Sequence, residues 1–220
     1  MLRAAGVGIG DEVVVPAFGN VEIAEAVTTV GAMPVFADID PVTYGLSPAA
    51  VADALTPRSA AVVAVHRFGR PADLARLRTV GQRHGLLVLE HHEGSAPRDD
   101  IARRRERAAF LDARLTGVAT PDGAAGHTYE QYVVRVPGNG RPDRDAFARA
   151  VRARGVECSV PVKTPVHRLP GFRRCVSLPE TERAADETLA LPVHAALTKR
   201  DMQRMASACN ALGGLLQPAS

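Results

Sequence analysis

The sequence predicts an α/β chain, a reduced parallel sheet followed by a small C-terminal α/β domain, and three observations carry that prediction. Short, near-continuous apolar runs recur through roughly the first ninety residues, as in strands buried on both faces. Helical periodicity fills the intervals between them. The pattern then changes near residue 94, where Gly94-Ser95-Ala96-Pro97 reads as a linker.

The elements follow in order. Val13-Val14-Val15, Pro34-Val35-Phe36-Ala37, Ala61-Val62-Val63-Ala64-Val65 and Leu86-Leu87-Val88-Leu89 are the strand candidates. Val21 to Val30 repeats apolar residues with helical spacing. Pro48 to Leu55 follows Ser47, a good N-cap with proline at the first helical position. Ala72 to His84 carries Leu74, Leu77 and Val80 on one stripe and stops at Gly85. Alternating strands and helices with short loops predict βαβ units. Beyond the linker, 99–115 reads as one long helix with a charged face, and Tyr129 to Val136 as a half-buried strand. Arg144 to Arg154 reads as a helix capped by Asp143, Cys158 to Val162 as a strand, and 179–190 and 198–216 as helices. The expected domains are 1–97 and 98–220.

Composition excludes several functions. No apolar run approaches the roughly 18 residues of a membrane helix, and no signal peptide is evident, so a cytoplasmic protein is expected. The three cysteines are widely spaced, which suits a reducing compartment. Net charge is only +3 and aromatics are 4%, with no Trp, so nucleic acid is not an expected partner. Of 27 basic side chains all but Lys163 and Lys199 are Arg. Gly8-Ile9-Gly10 precedes its strand, whereas dinucleotide-binding glycines follow one.

Eight strings, in order, resemble the DegT/DnrJ/StrS family of sugar aminotransferases: GVGIGDEVVVPAF, GAMPVFADIDPVTYGLSP, VAVHRFGRPADL, HGLLVLE, RRRERAAFLDARL, HTYEQYVVRV, RARGVECSVPVKTPVHRLPGF and LPETERAADETLALPVHAALT. The resemblance implies a fold-type-I scaffold using pyridoxal phosphate (PLP), amino transfer, usually from glutamate, to a keto sugar carried on a nucleotide or to a ketocyclitol, and a homodimer. That chemistry requires a lysine to bind the cofactor, an acid to hold the pyridine nitrogen protonated, and donors for the phosphate.

The sequence departs from the family at each requirement. The chain starts almost at the GIGDEV string, where family members carry an earlier phosphate loop. The acid that follows the family's counterpart of Glu90 is here His91, and the residue that stacks on the cofactor is Asn20. After Ser95-Ala96-Pro97 the chain passes directly into the C-terminal domain, without the family's lysine-bearing segment. Lys163, in a string similar to the substrate-side loop, and Lys199 are no obvious replacements. No catalytic residue is therefore assigned. His91 and Asn20 mark the cofactor positions, and His66, Lys163 and His167 are the substrate-binding candidates. His91 and His92 are adjacent in an extended segment and point oppositely, so they cannot share an ion, and no metal is expected. The expected function is that of a pseudoenzyme homologue, a binding or partner subunit in a homodimer or in a heteromer with an aminotransferase-family chain, with a nucleotide sugar as possible ligand. The alternatives are a working PLP enzyme whose lysine comes from a partner chain, and a decayed gene fragment.

Overall fold

The computed structural model describes residues 2–19, 21–94, 100–136 and 144–213. Four parallel strands, β1 (Glu12–Pro16), β2 (Met33–Ala37), β3 (Ser59–His66) and β4 (Leu87–His92), form one sheet in the order β2-β1-β3-β4. β1 is buried along its whole length. Its alternating side chains serve two cores. Val13 and Val15 join Val63 and Val65 beneath α1 (Glu22–Thr29), while Val14 joins Val62 and Ala64 beneath α2 (Pro48–Ala54) and α3 (Leu74–His84). Burial on both faces is why β1 and most of β3 read as continuous apolar runs rather than alternating ones.

Local chemistry sets the helix ends. Ser47 Oγ accepts the Ala50 N–H and Asp73 Oδ1 accepts the Arg76 N–H, which satisfies otherwise orphaned donors. Gly85, at φ +70°, ends α3 with its N–H on the Gly81 carbonyl. Gly81 is small of necessity: a Cβ there would lie 2.8 Å from Val88 Cγ2 and 3.0 Å from the Leu86 carbonyl oxygen.

The chain divides into two compact units that interleave in sequence. The first comprises Met1–Arg67, Pro71–Glu93 and Thr164–Ala185; the second comprises Phe68–Arg70, Gly94–Lys163 and Asp186–Ser220. The expected domains, 1–97 and 98–220, did not include the return of 164–185 to the sheet. That return has identifiable anchors. The Val166 N–H donates to the Ala17 carbonyl at 2.8 Å, and Asp38 caps α6 (Pro179–Glu187) by accepting the N–H groups of Glu180 and Thr181 at 3.0 and 2.8 Å. Val166 and Leu178 then bury themselves in the core beneath α1.

In the second unit β5 (Tyr132–Arg135) pairs antiparallel with β6 (Thr188–Leu191), and α4 (Ile101–Asp112), α5 (Arg144–Ala153) and α7 (Lys199–Gly213) supply its helices. Leu111, Tyr132, Phe147, Leu189, Met205 and Cys209 form the centre of its core. Two expectations need correction here. The helix over 179–190 stops at Glu187, because Thr188 to Leu191 is claimed by the ladder with β5. The strand at Cys158 to Val162 reduces to a single bridge, in which Ser159 and Ala190 exchange N–H···O bonds at 3.0 and 2.8 Å. Asp143 and Asn20 lie outside the described residues. No helix among the described residues is long and apolar enough to cross a membrane.

Candidate functional site

The carboxyl end of a parallel sheet is where open α/β folds gather ligands, and in the first unit this end carries an unusual concentration of ionisable side chains. β3 ends at His66 and β4 at His92, and the two are register partners, as are Ala64 and Glu90. Because strand side chains alternate with period two, His66, Glu90 and His92 share one face. The imidazoles of His66 and His92 stack with centroids 4.2 Å apart and planes 16° from parallel. His66 is 8% exposed. Its Nδ1 accepts the Ala72 N–H at 3.1 Å, whereas its Nε2 lies 3.7 Å from Glu90 Oε2 and has no hydrogen-bond partner among the described residues. Burial lowers the pKa of His66, the charge of His92 adds to that, and Glu90 opposes both. The other oxygen of Glu90, Oε1, takes the guanidinium of Arg78 from α3.

His91 faces the opposite side of β4. It is half-buried and lines a cavity of about 410 Å³ with Ile23, Ala26, Val30, Val63 and Leu89. Beside the strand end, Arg67 is 2% exposed, pairs with Glu93, and lies over the Phe18 ring with its Cζ 5.3 Å from the centroid. Burial pulls the Arg67 pKa down and Glu93 holds it up. Gly19 makes room for this cation, since a Cβ there would meet Arg67 Nη1 at 3.0 Å.

The other candidates fall elsewhere. His167 is 2% exposed, with its Nε2 3.3 Å from Glu182 Oε1 and its ring 6.5 Å from that of Phe36. Lys163 is exposed and belongs to the second unit, as does the exposed Lys199 of α7. Among the substrate and cofactor candidates, then, His66 and His91 share the sheet end, on opposite faces. Arg67 and Arg78 carry no sequence signal of a role at this strand end, and Glu93, which follows His91 and His92 in sequence, pairs with Arg67. The signal that was available is the period-two pair Glu90 and His92, which the emphasis on adjacent histidines hides. A larger cavity of about 720 Å³ in the second unit, bordered by Arg104, Glu130, Arg152, Ser159 and His194, contains none of the residues singled out.

A parallel sheet of this order with a small antiparallel α/β unit is the framework of the fold-type-I PLP-dependent transferases. The aminotransferase TlmJ from Streptoalloteichus hindustanus is similar over 98% of this chain and 83% of its own, with a TM-score of 0.85 and 26% identity. The family model for the DegT/DnrJ/EryC1/StrS aminotransferases matches residues 1–92 and 98–210, and the chain belongs to that family. Among curated relatives, an L-glutamine:2-deoxy-scyllo-inosose aminotransferase of Streptomyces kanamyceticus is 51% identical over 89 residues, 40% of this chain and 21% of that protein. A UDP-N-acetyl-3-dehydro-alpha-D-glucosamine 3-aminotransferase of Acidithiobacillus ferrooxidans is 47% identical over 89 residues, 40% of this chain and 24% of that protein. The matched stretch therefore spans about a quarter or less of these relatives.

Proposed function

We propose that this chain is an aminotransferase-family protein that does not carry out transamination alone and acts as a binding or partner subunit. One observation carries the reading: both lysines of the chain, Lys163 and Lys199, belong to the second unit, so the unit with the parallel sheet has none. The resemblance to the family implies a cofactor lysine in a segment that does not follow residue 97 here, and a break in the family match between residues 92 and 98 supports that reading. His91 stands where an acid would hold the pyridine nitrogen protonated, and an imidazole supplies no fixed negative charge for that purpose. The buried Arg67–Glu93 pair crowds the same strand end. These residues do not fit a lysine-linked PLP, and no catalytic step is derived through it. The test is the absorbance of the purified protein with added PLP, followed by borohydride. No band fixed to the protein is expected; a lysine covalently labelled by the reduction overturns the proposal.

A second reading, in which a partner chain supplies the lysine, is favoured by one feature. β4 pairs on one side only among the described residues, with Leu87 44% exposed, so the sheet ends in an open edge. In that reading the partner is a second copy or another aminotransferase-family chain, and the ligand a nucleotide sugar. Light scattering of the chain alone and mixed with a complete family member measures association. Glutamate-dependent amination of a keto sugar by the mixture, above that of the member alone, supports a shared site; no gain in rate refutes it.

A further inference from the structure

We propose that His66, Glu90 and His92 form a binding site for one divalent transition-metal ion of the zinc class, at the carboxyl end of β3 and β4. The inference is independent of the PLP reading. One nitrogen from each imidazole and one carboxylate oxygen lie within 4.8 Å of one another. Two histidines and a carboxylate are a common set of three protein ligands for zinc, with a fourth position left for water. Register makes the set. Glu90 and His92 occupy alternate positions of one strand, and His66 is the direct partner of His92 on the next.

Two further observations point to a ligand. His66 is 8% exposed, yet its Nε2 faces the cluster with no hydrogen-bond partner among the described residues. Buried polar atoms are ordinarily satisfied, yet the neighbour of this one, Glu90 Oε2, stands beyond hydrogen-bond distance at 3.7 Å. Glu90 is also divided suitably. Arg78 holds Oε1 and so orients the carboxylate, while Oε2 is the atom that faces His66.

The site has a definite cost of loading, which sets its selectivity. With the Ala72 N–H on Nδ1, the neutral ring of His66 carries its proton on Nε2. Coordination through Nε2 moves that proton to Nδ1 and opens the Ala72 bond. The stacked rings cannot both aim a lone pair at one ion, so His92, which is exposed at the strand end, must also turn out of the stack. Only ions with strong affinity for imidazole offset these losses, so zinc, nickel and copper are favoured and magnesium and calcium are not.

The test is calorimetric titration of the whole chain with zinc chloride and, in parallel, magnesium chloride. Zinc is expected to bind one ion per chain, with no binding of magnesium. His92→Ala and Glu90→Gln are each expected to weaken zinc about tenfold or more, whereas His91→Ala, on the opposite face, changes it by less than about twofold. His92 and His91 are neighbours near the strand end, so this pair separates a built site from general histidine affinity. His66→Gln removes the third ligand, and circular dichroism establishes that each variant is folded. An amide spectrum provides an independent readout, in which zinc shifts the Ala72 N–H resonance. Absence of zinc binding, or equal losses in His91→Ala and His92→Ala, overturns the proposal. Unaltered binding in a folded His66→Gln protein does the same.

Discussion

His66 in the first unit and His127 in the second are nearly the same local object placed in opposite electrostatic surroundings. Both are buried, at 8% and 3% exposure. Each accepts a backbone N–H at Nδ1, from Ala72 at 3.1 Å and from Tyr129 at 3.0 Å. Each stacks on a second ring: His66 on His92, and His127 on Tyr129 with centroids 3.9 Å apart. The neighbours differ in sign. His66 has the carboxylate of Glu90, whereas His127 has the guanidinium groups of Arg70 and Arg105, the latter donating from Nε to the His127 carbonyl at 2.9 Å. Burial and these two cations push the His127 pKa down to about 4. A buried imidazole is thus either a packing element or a potential ligand according to the charge around it, and hydrogen-bond geometry alone does not distinguish the two.

The largest effects break the supports of each region. Arg67→Ala leaves Glu93 beside the sheet end without its guanidinium, and Tyr132→Ala empties a fully buried position of the second unit and removes the donor to Asp112. Each is expected to cost about 3–5 kcal/mol by urea denaturation. Tyr132→Phe separates the two parts of the second loss: the ring stays, and the cost falls to about 1–3 kcal/mol for a carboxyl left without its bond.

The pH dependence tests the comparison directly. His127 has a folded pKa below its unfolded one, so between about 6.5 and about 4 the unfolded chain binds more protons than the native one. Stability is therefore full above about pH 6.5, falls as pH drops toward about 4, and loses on the order of 2–3 kcal/mol across that window. His127→Leu is expected to flatten this slope. His66 acts with the same sign, but Glu90 opposes its shift, so His66→Gln should trim the slope far less. Equal changes in the two variants would show that the contrast in charge has no energetic consequence.

Smaller still are backbone effects that ignore the site. Gly85 and Gly155 sit at φ +70° and +74° with open space where a Cβ would go. Alanine at either should cost about 1–2 kcal/mol by denaturation, alike in both units. Gly81→Ala should exceed them, because its methyl group meets Val88 and the Leu86 carbonyl. Arg76→Ala, which removes an exposed i,i+3 contact with Asp73 at 3.5 Å, is expected to change stability by less than about 0.5 kcal/mol.

Much of this architecture is legible in the chain because it rests on local rules. β1 and most of β3 are continuous apolar runs since both faces are covered, and Ser47, Asp73 and Gly85 end helices through bonds within a few residues. The misreadings arise where a distant partner decides. Thr188 to Leu191 could continue α6 on periodicity alone, and pairs instead with β5, 53 to 59 positions away in sequence. Nothing close to Asp38 in sequence signals that it caps α6, one of the anchors that return 164–185 to the sheet.

The sequence by itself determined the fold class, the family and the placement of both lysines, because apolar periodicity, turn residues and lysine positions are properties of the chain read in order. Only the tertiary structure decided which histidines meet. His91 and His92 are neighbours in sequence and part to opposite faces of β4, while His66 and His92 are 26 residues apart and stack. The physical reason is the parallel ladder. It sets alternate side chains on opposite faces and aligns the ends of β3 and β4, so proximity follows register rather than adjacency.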